Sequence, residues 1–160
     1  MVLPVQRCIT SWIIMVKKHK KELEKYYNQG SQTQEYHCLD LFCKKGLAGM
    51  YEYREHIRLE ENCDMVNRLT DNCCSLEFFS CPGLSQVINN DAGVCPEYSS
   101  HCTGRILPIM TQAGFYAGYN LIDCKKTRCK MLICVDKEKA ARKKSELARQ
   151  YDSDIILCNF

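Results

Sequence analysis

The sequence predicts an α+β chain of two small tandem zinc-finger-like modules, each a short sheet with helices. Three observations lead there. Thirteen cysteines and four histidines occur in 160 residues. One close cysteine pair, C-x4-C, recurs later in the chain with the same spacing. Around each pair, stretches of helical periodicity alternate with short apolar runs of strand length. The expected boundaries are a first module over residues 1–70, a linker over 71–95 and a second module over 96–160.

The elements follow in chain order. "CITSWIIMVKKHKKELEKYY" reads as a helix, because Ile9, Trp12, Ile13, Val16, Leu23 and Tyr27 recur three, four or seven apart. The polar "NQGSQTQ" is expected to end it. "EYHCLDLFC" alternates loosely and suits a strand, and the two glycines of "KKGLAGM" suit a bend. "YEYREHIRLEENC" returns to helical periodicity. From Asp71 to Val94 the pattern is irregular, with Asn, Gly and Pro at intervals, hence the linker; Leu76, Phe78 and Phe79 should pack within it. "CPEYSSHCTGR" reads as a turn. "ILPIMTQAGFYAGYNLIDC" is apolar and glycine-containing, and "KMLICV" reads as a strand. "DKEKAARKKSELARQY" is a helix opened by Asp136, and "DSDIILCNF" is a second apolar run.

Composition narrows the class. Hydrophobic residues make up 46% and charged residues 26%, a globular balance. The apolar "CITSWIIMV" is too short to span a bilayer and lacks the flanks of a signal peptide, so no membrane role and an intracellular location are expected. In a reducing compartment disulfides are rare. An odd cysteine count also forbids complete internal pairing. The thiols are then metal ligands, small buried hydrophobes or reactive groups. Adjacent Cys73 and Cys74 fit packing or a redox liability.

Zinc takes about four ligands in a tetrahedron, usually thiolate and imidazole. Seven residues approximate two helical turns, so His56 and Cys63 are expected on one side of a helix. With Cys38 and Cys43 upstream they form C-x4-C-x12-H-x6-C. Four soft or borderline donors suit Zn2+ better than oxygen-seeking cations. Cys124 and Cys129 repeat the C-x4-C step, and Tyr151 and Cys158 repeat the seven-residue step. Cys124, Cys129 and Cys158 are therefore candidates for a second site. Its fourth ligand is left open among residues such as His101, Cys102 and Cys134.

Here the residues resemble a family. "AGFYAGYNLIDC", "REHIRLEENC" and "CPEYSSHCTGR", with "RCITSW" near the start, resemble the baculoviral inhibitor-of-apoptosis repeat, or BIR domain, in two degenerate copies. The resemblance implies structural zinc and a protein–protein interaction module, an apoptosis inhibitor or a structural adaptor derived from one, with a viral protein among the expectations. Family members grip a peptide N-terminus with a Trp and an acidic loop. The matching stretch here, "GLAGMYEYREH", offers Leu47, Met50 and Glu52. Both cysteine pairs enclose four residues, where the family has two. Tyr151 stands where the second copy would carry its histidine.

No phosphate loop, nucleophile elbow or zinc-peptidase signature occurs, so no enzyme is expected. A rival reading starts from Lys125 to Arg149, which holds ten Lys or Arg against three acids. With its flanking apolar runs, that stretch reads as strand–helix–strand. It would be a nucleic-acid- or phosphoprotein-binding α/β domain using a basic helix.

Overall fold

The computed structural model describes residues 22–89, 98–123, 126–151 and 156–160. Helix α1 spans Leu23–Gln34 and passes through "NQGSQTQ" without a break. A π-helical turn, Glu35–Leu39, takes the place of the expected strand. Helix α2, Asp40–Glu60, follows directly. The expected bend survives as a kink inside it: Gly46 sits at φ 59°, a conformation that costs glycine little. Asn62, at φ 48°, then reverses the chain, and the N–H of Cys63 closes onto the Arg58 carbonyl at 2.9 Å. A left-handed Asn just past a helix with this 6→1 bond is an efficient stop.

Strands β1, Asp64–Leu69, and β2, Cys73–Ser80, form a hairpin. Helix α3, Pro82–Asn89, begins with proline at its first position, where the missing N–H is no loss. Helix α4, Tyr98–Gln112, occupies the stretch that read as a turn. It ends at Gly114, φ 75°, with the Phe115 N–H on the Met110 carbonyl at 2.8 Å. Strand β3 is Tyr116–Asp123, and β4 is Arg128–Cys134. Helix α5, Lys137–Tyr151, starts as expected: Asp136 Oδ1 accepts the Lys139 N–H at 2.7 Å. Strand β5, Ile156–Cys158, is short.

All five strands join one antiparallel sheet in the order β1-β2-β4-β3-β5. The fold is therefore mixed α/β around a single five-stranded sheet. The stretch expected as a linker supplies β2 and α3, and β2 pairs with β4 from residue 73 to residue 78. Strands β4 and β5 both run antiparallel to β3, so β4–α5–β5 is a crossover with β3 lodged in the middle.

Residues opposite one another share a face. On one face Met65, Cys74, Leu76, Met131, Ile133 and Ala117 pack under α2, α3 and α4. Fully buried Phe42, Met50, Leu84, Ile109 and Met110 come down from those helices. Helix α1 lies against α4 so closely that a Cβ on Gly104 would meet the Tyr27 ring at 2.7 Å. Helix α5 covers the other face mainly over β3 and β4, setting Ala140 and Leu147 on Leu132 and Cys134. Asn159 latches the end of the chain. Its Oδ1 accepts the Ala117 N–H at 2.8 Å, and its Nδ2 donates to the Phe115 carbonyl at 3.0 Å. No helix among the described residues is long and apolar enough to cross a membrane.

Candidate functional site, a thiol-lined pocket

The end of β2 and the start of β4 are pinned together. The Cys81 N–H donates to the Thr127 carbonyl at 2.7 Å, and the hydroxyls of Ser80, Ser85 and Thr127 lie within 3.0–3.3 Å of one another. This places Cys81 beside Cys129, and α4 brings Cys102 over both. The three thiols line a cavity of about 200 Å³ between the helical layer and the sheet. Leu76, Phe78 and Met131 form its floor, and Ile57 and Ile106 its helical wall. Glu61, the exposed residue of the lining, marks the side toward solvent.

The pocket's electrostatics follow from burial. Burial, then the neighbouring Cys81, pushes the Cys102 thiol up; contact with Cys81, then burial, does the same for Cys129. Burial raises the Tyr119 phenol well above its ordinary value. Its buried hydroxyl has the thiols of Cys102 and Cys129 as its hydrogen-bonding neighbours, with no nitrogen or oxygen partner among the described residues. Burial, with the Arg105 charge, lowers His101 to about 4, so it is neutral at pH 7, and its Nε2 lies 3.1 Å from the Tyr26 hydroxyl. Arg54 is the cation among the lining residues. Its guanidinium sits 5.7 Å from the Tyr53 ring, and its buried Nε has no hydrogen-bond partner among the described residues.

The residues expected to bind zinc stand as follows. Cys38 is buried on the π-helical turn, its thiol raised by burial. Cys43 is exposed on α2. His56 is exposed and pairs with Glu60 at 3.2 Å. Cys63 is buried, with its thiol pushed up to about 11 by burial and the Glu61 charge. The seven-residue step does not make two helical turns, because α2 ends at Glu60 and Asn62 turns the chain before Cys63. Among the described residues no three His, Cys, Asp or Glu side chains gather as a metal-holding group.

For the second site, Cys124 lies outside the described residues. Cys129 lines the pocket, while Cys158 sits on β5 with Lys144 Nζ 3.1 Å from its sulfur. Of the proposed fourth ligands, His101 and Cys102 face the pocket, and Cys134 is spent in a disulfide with Cys73, directly opposite it on β2. Cys73 is thus a cross-link, while Cys74 beside it is a buried free thiol. Of the expected peptide-gripping residues, Met50 is fully buried core and Leu47 is nearly so. Glu52 is exposed and pairs with Lys45 at 2.8 Å.

Of the basic stretch, Lys125 lies outside the described residues, Arg128 and Lys130 stand on β4, and the six cations from Lys137 to Arg149 lie on α5. Beside it, the uncovered half of the sheet presents Arg68 and Phe79, and Glu77 between Arg128 and Lys130. Arg128 lies over the rings of Phe79 and Tyr151, and Lys130 over Tyr151. Burial alone would raise the Glu77 carboxyl, but the hydrogen bond from Arg128 and the charge of Lys130 outweigh it and hold it low.

Sequence reasoning did not assemble the pocket. It named Cys129, His101 and Cys102 only as candidates for a second zinc site, and no spacing singled out Cys81, Tyr119 or Arg54. A partial signal existed in the strand alternation Leu76–Phe78 and Cys129–Met131, but the pairing of β2 with β4 is tertiary information. Comparison of the chain with family models, curated proteins and solved structures finds no match.

Proposed function

We propose that the chain is a binding domain for a small apolar molecule, held in the pocket between the helical layer and the sheet. The observation that carries this reading is the cavity itself: about 200 Å³, walled by apolar side chains and thiols, with the buried Arg54 Nε unpaired among the described residues. Native interiors are close-packed, so a cavity of this size is more than packing noise, and an apolar cavity of about 150 Å³ is enough to hold benzene. Toluene tests it. Saturating toluene is expected to raise the thermal midpoint of the full chain, and Ile106→Trp, which fills the space, is expected to remove that response. No shift in the unmodified chain overturns the reading.

A second reading is favoured by the cations and rings beside α5. An exposed basic helix next to a sheet bearing Arg128, Lys130, Phe79 and Tyr151 is a surface suited to the phosphates and bases of a single strand. Binding of a fluorescent oligonucleotide that falls steeply with salt, and is lost in Arg142→Glu/Arg149→Glu, supports it. Salt-insensitive capture of a protein supports an adaptor instead. The zinc-stabilised BIR-like adaptor has the least geometric support, since its donors stand apart among the described residues. Zinc content by elemental analysis tests it directly.

A further inference from the structure

The pocket's charge and its unsatisfied groups narrow the ligand. Besides exposed Glu61, Arg54 faces a cavity lined by apolar side chains, three thiols, a neutral imidazole and the phenols of Tyr53 and Tyr119. Arg105, on α4, adds a second positive charge that reaches His101 and Cys102. Glu61 at the mouth is the acid among the lining residues. On the lining Arg54 and Glu61 match in number, but Glu61 is exposed to solvent while the Arg54 Nε is buried. Arg54 makes no salt bridge among the described residues, and its buried Nε donates to nothing there. The Tyr119 hydroxyl, on a residue only 3% exposed, has just the weakly hydrogen-bonding thiols of Cys102 and Cys129 as neighbours, and a carboxylate would be a stronger acceptor. Cys102 connects the two: it feels the Arg54 charge and lies beside the Tyr119 hydroxyl. A buried donor left unsatisfied is costly, and one that is charged more so.

We propose that the pocket takes a small apolar monocarboxylate, its carboxylate on Arg54 and the Tyr119 hydroxyl and its apolar body against Leu76, Phe78, Ile106 and Met131. The inference rests on the small-molecule reading of the cavity. A volume slightly above the benzene-holding size admits a ligand of about ten non-hydrogen atoms, the scale of an arylacetate. A guanidinium and a carboxylate form charge-assisted hydrogen bonds, stronger than neutral ones. An apolar wall then selects the body.

The test compares phenylacetate with phenylacetamide, the neutral compound of the same shape, by calorimetric titration of the full chain. Phenylacetate is expected to bind about tenfold or more tightly than the amide. Arg54→Met is expected to abolish that preference while leaving amide binding, and Tyr119→Phe to reduce it. Equal affinity of acid and amide for the unmodified chain overturns the proposal, as does a preference that survives Arg54→Met. The unmodified chain alone decides if Arg54→Met fails to fold. Toluene binding without a preference for the acid sinks the carboxylate and spares the cavity reading. Failure of all three compounds sinks both.

Discussion

The main-chain N–H of Cys81 and the carbonyl of Thr127 meet at 2.7 Å, joining the end of β2 to the turn that begins β4. Thr127 holds φ 56° and is buried, a strained position for a β-branched residue that its surroundings must over-determine. Its hydroxyl shares partners with Ser80 and Ser85. The swap Thr127→Val keeps shape and branching and removes only that hydroxyl. It is expected to cost about 1–2 kcal/mol in urea unfolding, the scale of a buried hydrogen bond with its partners left short. A change within a few tenths would mean the three hydroxyls contribute little.

Acid should unfold the chain partly through His101. Its folded pKa is depressed to about 4, against about 6.5 for a free imidazole. Its stabilising contribution is complete above pH 6.5. It is lost progressively as pH falls toward 4, because the unfolded chain takes the proton first. The difference amounts to about 3 kcal/mol. His101→Gln is expected to flatten stability between pH 6.5 and 4. Glu77, also depressed, acts at lower pH: its contribution holds above the ordinary carboxylate range and fades below it. Glu77→Gln should therefore leave the upper window intact and change only the acid end.

Asn62 gives a sharper conformational test. Its left-handed φ of 48° is tolerated by Asn and Gly and penalised in branched residues. Asn62→Gly is expected to be neutral within a few tenths of a kcal/mol, and Asn62→Val to lose about 1–2 kcal/mol by chemical denaturation. Equal behaviour of the two variants would show that the turn does not need this conformation.

The Cys73–Cys134 bond closes a loop of 61 residues across the centre of the sheet. Reduction with dithiothreitol is expected to lower stability by about 2–4 kcal/mol. The double variant Cys73→Ala/Cys134→Ala should start lower and respond little to the reductant. An equal response would place the effect at other cysteines.

Much of the local structure was readable in the residues. Asp136 announced α5, the apolar "KMLICV" announced β4, and Gly46 marked a real irregularity in the chain. What could not be read was decided by partners far away. "EYHCLDLFC" alternates like a strand, but Phe42 and Cys38 bury against a helical layer, and helix won. The irregular stretch after Asp71 looked like a linker because its hydrophobic residues face two different environments. Leu76 enters the core, while Phe79 lies under Arg128 on the open face. Of the candidate sites, the sequence singled out Cys63 and Cys129 for zinc, in separate modules. The fold instead brings each of them near Cys81, a residue no spacing rule selects.

The shielded thiols also make the fold a clock for its own breathing. Alkylation needs both contact and thiolate, and the interior denies both. Cys43, exposed on α2, should react with iodoacetamide at the intrinsic rate of a surface thiol. Cys81 and Cys129 can react only when the helices lift from the sheet. The ratio of those rates, followed by mass spectrometry on an unlabelled chain, gives the fraction of time that layer is open when reclosing outpaces alkylation. A ligand that keeps the layer shut would slow the clock in proportion to its occupancy.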